Sequence, residues 1–140
     1  MKKLFPTLTI ALCAACLLAN AQDVCRVTGK QNYSLGFVNK TGHDLVAVSA
    51  NYGKEEVAAP GRLVRAGRAT EGPVPLPIPS VAEVRWEENG IRHSVNVKLE
   101  GVVPKGFTRG TIYFILKADG TVDAKAIKRE DIDANVHVGE

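Results

Sequence analysis

The chain has little cysteine where disulfides would support folding. Two of its three cysteines lie in the first 21 residues, which carry the features of a cleaved leader, so only Cys25 remains afterwards. A single thiol cannot form an internal disulfide, and the fold must therefore depend on its core, even in an oxidising compartment. The roughly 119 residues that remain suffice for one domain with such a core. We expect Cys25 to be a free thiol, with pairing to another chain as the alternative.

The chain also lacks a long hydrophobic run. Residues 1–21 combine two early lysines, a short apolar stretch and the small-residue pattern "ANA" at 19–21, which together predict a signal peptide. About 15 apolar residues are too few to span a bilayer comfortably, so we expect cleavage and no membrane span in the mature chain. Cys13 and Cys16 lack the preceding residues that lipidation requires. The sequence therefore predicts a soluble periplasmic domain at 22–140 and not a lipoprotein.

A strong excess of charge is absent as well. The full chain holds 18 Lys and Arg against 15 Asp and Glu, and two of those lysines leave with the signal peptide. The mature count is therefore 16 against 15, a net charge of +1. A nucleic-acid-binding domain usually has a clear basic excess. Nucleic acid is accordingly not expected as a partner.

Motifs for catalysis are missing too. There is no G-x-S-x-G sequence, and Cys25 lies close to the expected new terminus. The three histidines, His43, His93 and His137, are scattered along the chain. The carboxylates at 130–133 lack the glycine and the alternating ligands of a calcium loop. We therefore expect no catalytic residue, no metal and no cofactor, and we do not expect an enzyme.

What the sequence does contain is a series of short alternating segments separated by turn residues. "YSLGFVN" places Tyr33, Leu35 and Phe37 on one face, "KTGHD" supplies a turn, and "LVAVSANY" returns. No stretch has a convincing helical period. About six or seven such strands at 22–140 predict a small antiparallel β-sandwich.

The clearest hairpin has Asn-Gly at 89–90 between two alternating runs. Both turn residues tolerate the positive φ that a two-residue loop requires. This register places Trp86 opposite His93 on the core face, and Glu87 opposite Arg92 on the other face. We therefore expect His93 to be a packed side chain and not a catalytic base.

A second hairpin is predicted near the end of the chain. A three-residue loop at 118–120 gives the better match, because it sets Leu116 opposite Val122 on one face. The remaining tail, about 130–140, is polar and expected to be loose.

The middle of the chain offers a first candidate binding site. Residues 53–72 form a long polar connection, with at most one short strand near 63–64. This connection spaces Arg62, Arg65 and Arg68 by three. Arginine binds carboxylates and phosphates through a planar fork of donors, so the three are candidate partner contacts. The alternative is a solvated loop.

A second candidate is "GPVPLPIPS", residues 72–80, which has proline at every second position. These prolines remove backbone donors from one side of the strand only, while Val74, Leu76 and Ile78 keep theirs. Such a segment is typical of a protected edge strand. The alternative is a stiff lip that needs little ordering on binding, with Val74, Leu76 and Ile78 as partner contacts.

Three segments in order suggest a family. They are "FVNKTGHDLVAVSANY", "AEVRWEENGIRHSVNVKL" and "GTIYFILKADGTV", and they cover about half of the mature chain. With Val84 and Trp86 in the second and the Asp-Gly turn at 119–120 in the third, the series resembles small periplasmic immunity proteins of type VI secretion phospholipase effectors. The resemblance implies that the protein binds a cognate phospholipase or lipase and covers its active cleft sterically. It assigns no contact residues.

Two other functions remain open. The first is inhibition of another periplasmic hydrolase such as a lysozyme, although such inhibitors are often stapled by disulfides. The second is a structural or ligand-binding β-domain of the envelope. Sugar binding usually requires exposed aromatic side chains, whereas Trp86 is predicted to face the core.

Overall fold

The computed structural model describes residues 31–131, and the structural statements below concern that part of the chain. The predicted signal peptide, Cys25 and His137 lie outside it. Within it the chain forms eight strands, followed by one helical turn at 129–131. The strands are β1 (Asn32–Lys40), β2 (Leu45–Tyr52), β3 (Glu55–Leu63), β4 (Arg68–Val74), β5 (Val81–Glu88), β6 (Ile91–Lys98), β7 (Arg109–Lys117) and β8 (Val122–Lys128).

The strands form two four-stranded sheets. Sheet A has the order β4-β1-β7-β8, and sheet B has the order β3-β2-β5-β6. The predicted small all-β sandwich is confirmed, with eight strands where six or seven were expected. Five of the six strand pairs are antiparallel, while β1 and β7 run parallel at the centre of sheet A. No helix of the described residues has the length and apolar character needed to cross a membrane.

The extra strands lie in the region 53–72, where the prediction of a long connection is wrong. That region holds all of β3 and the start of β4. The register between β2 and β3 shifts at several points, and Gly61 has a positive φ of 75°. Such bulges break the alternation that identifies a strand in sequence. Because β3 is an edge strand, it also tolerates Pro60.

Both predicted hairpin registers are confirmed. Trp86 pairs with His93 across β5 and β6, and their rings stack with centroids 4.9 Å apart and planes inclined by 9°. Leu116 pairs with Val122 across β7 and β8. Trp86 is 2% exposed, so it belongs to the core and not to a sugar-binding surface. The largest fully buried apolar side chains are Trp86, Tyr33, Phe37, Phe114, Leu35, Leu45, Leu99, Ile112 and Leu116.

Asn39 is a buried polar residue that joins the two loops at one end of the sandwich. Its Nδ2 donates to the carbonyl oxygens of His43 at 2.7 Å, Val64 at 3.1 Å and Leu63 at 3.3 Å. Its Oδ1 accepts from the backbone N–H and the hydroxyl of Thr41, at 3.0 and 2.7 Å. With 1% exposure, Asn39 replaces water as the partner of these groups.

Tyr33 is fully buried and joins the proline run to the core. Its hydroxyl donates to the carbonyl oxygen of Leu76 at 2.9 Å and lies 3.1 Å from the hydroxyl of Tyr52. Burial, and after it the hydrogen bond to Tyr52, raises the pKa of Tyr33 far above its ordinary value. Burial raises the pKa of Tyr52 as well.

This shift predicts a loss of stability in alkali. Above pH of about 10 an unfolded tyrosine releases its proton, while folded Tyr33 retains it. The unfolded state then binds fewer protons, so the free energy of unfolding falls, by up to about 1.4 kcal/mol per pH unit. Urea unfolding between pH 9 and 11 measures the slope. The Tyr33→Phe variant should have a shallower slope, and equal slopes in the two proteins would contradict this role for Tyr33.

Position 110, in β7, requires glycine because the backbone of β8 lies very close to it. Its φ is 135°, and a Cβ there would overlap the carbonyl oxygen of Ile127 and lie 2.9 Å from Cα of Lys128. We expect Gly110→Ala to lower the free energy of unfolding by about 2 kcal/mol, because the backbone of β8 must move. Gly120→Ala is the control, since Gly120 also has a positive φ but no atom within 4 Å of a built Cβ. A smaller loss at Gly110 than at Gly120, by urea unfolding, would refute this explanation.

Candidate functional site

The outward side of sheet A carries an apolar centre with a cationic rim, which we call the cationic face. Leu35, Phe37, Ile112, Phe114 and Leu116 point into the core, so the residues between them point outward. A shallow depression of about 200 Å³ lies on this side. It is lined by Val38, Tyr113, Ile115 and Ile127 at the centre and by Lys40, Arg68 and Lys125 at the rim.

Strand pairing explains how residues distant in sequence meet there. Val38 of β1 pairs with Arg68 of β4 on one side and with Ile115 of β7 on the other. One row further along, Tyr113 pairs with Lys125 of β8. The face therefore draws on all four strands of sheet A.

Gly36 allows the Tyr113 ring to lie flat on the sheet at the centre of this face. A Cβ built on Gly36 would lie 2.6 Å from Cε1 of Tyr113 and 3.2 Å from Cγ2 of Thr111. Any larger residue would push the ring away from β1. The glycine thus fixes the shape of the apolar centre.

The charge of this face is one-sided. Its lining residues include three cations and no carboxylate. Asp123 lies opposite Ile115 in the next strand, but it forms an ion pair with Lys117. That pairing raises the pKa of Lys117, so the lysine stays charged. The face consequently offers positive potential to a partner.

The outward side of sheet B is different. It holds a groove of about 570 Å³ whose charged lining is balanced between Glu56, Glu87, Arg85 and Arg92. Ala47, also in the lining, has a positive φ of 51° at a register shift between β2 and β5. Bulges of this kind widen or bend a sheet locally.

Glu83 organises the charges beside this groove. Arg85 donates to both carboxylate oxygens, with Nε at 2.7 Å and an Nη at 3.0 Å, and the hydroxyl of Ser94 donates at 2.6 Å. These hydrogen bonds hold the pKa of Glu83 below its ordinary value. Asn51 lies between Glu56 and Glu83 across the strands, and its Nδ2 is buried without a hydrogen-bond partner in the described structure.

The three predicted arginines separate in the structure. Only Arg68 belongs to the cationic face. Arg62 lies at the end of β3, where an Nη is 3.3 Å from a carboxylate oxygen of Asp44. The backbone N–H of Arg65 donates to the same carboxylate at 2.7 Å, so that segment is fixed by Asp44.

Only the start of the proline run belongs to an edge strand, and the prediction that the strand continues through residues 75–80 is wrong. Val74 ends β4, the edge strand of sheet A, and pairs with Tyr33 of β1. Val74 is 3% exposed, while Leu76 and Ile78 are half-buried and pack against the core. The predicted alternation is therefore present, but it directs the three side chains inward. The sandwich covers Val74 and partly covers Leu76 and Ile78, and their role as partner contacts stays a prediction.

The cationic face could not be predicted from the sequence, because its residues come from four separate strands. The available signal is that Val38, Ile115 and Ile127 are apolar at positions that alternate away from the core. Apolar residues on both sides of a strand indicate a second surface that avoids water. The cations around these apolar residues are determined by the strand order, which the sequence pattern does not give.

The metal-ligating residue types and the histidines of residues 31–131 do not form a catalytic cluster. No three His, Cys, Asp or Glu residues there are placed to hold a metal ion. His43 Nδ1 lies 2.8 Å from a carboxylate oxygen of Glu88 at an exposed position. His93 is engaged with Trp86.

Fold and surfaces together define a small all-β sandwich with one cationic and one charge-balanced outer face. Neither a family model nor a curated protein matches the chain. A solved structure described as the "NMR structure of the protein from Eubacterium rectale" aligns at 14% identity with a TM-score of 0.45. The alignment covers 73% of this chain and 94% of that one.

Proposed function

We propose that this protein is an exported immunity protein that binds and inhibits a lipid-degrading effector, using the cationic face as its contact surface. The observation that carries the proposal is the apolar centre of Val38, Tyr113 and Ile115, with three cations and no carboxylate among the residues that line the depression. An apolar centre with a polar rim is the usual anatomy of a protein–protein interface. The partner is expected to offer an apolar protrusion surrounded by carboxylates.

Inhibition of this kind needs no bond to be made or broken. A rigid sandwich that covers the entrance of an active cleft excludes substrate by its volume alone. The rim charges would speed association by steering, and the apolar centre would slow dissociation. The exported leader predicted from the sequence would deliver the protein to the compartment in which it meets such an effector.

Co-purification tests the proposal. Residues 22–140 carrying an affinity tag are expected to retain a lipase encoded beside the gene through extensive washing at about 150 mM salt. Elution should become easier as salt rises, since exposed charge pairs are screened. Failure to retain the lipase at low salt would contradict the proposed function.

A ligand-binding envelope domain is the second candidate. The groove on sheet B favours that function, because Arg85, Arg92 and Glu87 in its lining offer donors and acceptors to a polar ligand. Lipase activity left unchanged by the protein, together with a polar ligand whose binding is lost when a groove residue is replaced, would support this candidate instead.

A further inference from the structure

A pocket lies at the end of the sandwich where β1, β5 and β7 begin and β6 ends. Its volume is about 400 Å³, and it opens between residues 77–80 of the proline run and the connection 99–108 that joins β6 to β7. We call it the proline pocket. The part of the proline run that forms no strand is therefore one wall of a concave surface. Its apolar lining includes Pro77, Ile78, Pro79, Val103, Pro104 and Phe107.

Backbone hydrogen bonds fix both walls of the proline pocket. The carbonyl oxygen of Ser80 accepts from the N–H groups of Leu99 at 2.8 Å and Glu100 at 3.1 Å. The carbonyl oxygen of Leu99 in turn accepts from the N–H of Val103 at 2.9 Å. The prolines add stiffness, because their rings fix φ. A ligand would therefore meet walls that are already ordered, which lowers the entropy cost of binding.

Two acceptors in the lining of the proline pocket have no partner in the described structure. Gln31 lines the pocket, and its Oε1 is buried without a hydrogen-bond partner. Glu100 takes part in none of the ion pairs of residues 31–131. It is also the one charged side chain among the described lining residues. Because buried polar groups are normally hydrogen-bonded, this pocket calls for a ligand that donates and carries positive charge.

Arginine has the combination of groups that the proline pocket requires. Its methylene groups pack well along apolar surface, here offered by Pro77 and Pro79. Its planar guanidinium has five N–H donors, enough for both oxygens of the Glu100 carboxylate and for the amide oxygen of Gln31. Lysine has a point charge without this planar fork, so it matches the two acceptors less well.

We propose that the proline pocket binds an arginine side chain presented by a partner protein. The guanidinium donates to Glu100 and Gln31, and the aliphatic stem lies against the prolines. This site shares no residue with the cationic face, which attracts carboxylates instead. Binding of an arginine probe can be measured without a lipase, so this site and the proposed function can fail separately.

Titration with Nα-acetyl-arginine amide, followed by NMR, tests the site. In isotope-labelled residues 22–140, we expect saturable shifts of the backbone amides at 99–108 and of the Gln31 side-chain amide. The dissociation constant should be about 1 mM, as expected for a ligand of this size. Nα-acetyl-citrulline amide is the matched control, because it has nearly the same shape without the charge. It should bind at least about tenfold more weakly. Equal affinities, or shifts confined to other residues, would overturn the proposal.

Replacing the carboxylate tests the role of Glu100. Glu100→Gln should weaken binding of the arginine probe by at least about tenfold, because it removes the charge and keeps the shape. Glu55→Gln is the matched control, since Glu55 is an exposed residue of β3 that does not line the pocket. Its affinity should stay within about twofold of wild type. Unchanged affinity in Glu100→Gln, or an equal loss in both variants, would contradict the proposal.

Discussion

Reversing two charges on the cationic face, with Arg68→Glu and Lys125→Glu, is expected to weaken inhibition of the lipase by at least about 100-fold. Both side chains lie at the rim of the apolar centre and on different strands. Reversal turns attraction toward partner carboxylates into repulsion, and 100-fold corresponds to about 2.7 kcal/mol. The half-inhibitory concentration measured in a phospholipid hydrolysis assay gives the value directly.

The matched control makes the same change of charge on the other sheet. Arg92→Glu with Lys98→Glu alters two exposed cations of β6, so net charge falls equally. Inhibition should stay within about threefold of wild type. An equal loss in both variants would mean that overall charge, and not the cationic face, governs binding.

A third variant separates the arginines that the sequence grouped together. Arg62→Glu with Arg65→Glu changes two exposed side chains near Asp44. If those residues were the contacts, this variant would lose inhibition while Arg68→Glu with Lys125→Glu kept it. That result would move the interface from the outward face of sheet A to the end of the sandwich.

Asn39→Ala is expected to lower the free energy of unfolding by about 4 kcal/mol. The change removes the donor for three carbonyl oxygens and the acceptor for Thr41, at a residue that is 1% exposed. Each buried polar group left without a partner costs about 1–3 kcal/mol, although neighbouring groups can relax in part. Urea unfolding of wild type and variant measures the difference.

Asn32→Ala is the control for this prediction, because Asn32 is an exposed asparagine on the same strand. Its effect should be within about 0.5 kcal/mol. If Asn39→Ala cost less than about 1 kcal/mol, the loops at that end of the sandwich would not depend on Asn39.

Local patterns predicted the parts of the fold that are held by neighbouring residues. The Asn-Gly turn fixed the pairing of Trp86 with His93, and the three-residue loop fixed that of Leu116 with Val122. Each of these two hairpins has a short turn, so the turn residues and the strand residues next to them determine the register. The same holds for the inward alternation of Val74, Leu76 and Ile78.

Features that depend on distant pairing could not be predicted in this way. The parallel neighbours β1 and β7 are separated by most of the chain, and the bulges of β3 hide its alternation. Arg68 is a candidate contact in the sequence because of its spacing from Arg62 and Arg65. Lys40 and Lys125 lie on other strands, far from Arg68 in sequence, so no spacing pattern indicates them. Sheet order, and not spacing in sequence, brings these three cations together.

The function proposed for this protein is inhibition of a lipid-degrading enzyme that binds to the cationic face. Titration of the purified neighbouring lipase with residues 22–140 tests it most directly, with phospholipid hydrolysis as the readout. We expect activity to fall linearly and reach its minimum near one molecule of protein per molecule of lipase. Unchanged lipase activity at saturating protein would contradict the claim.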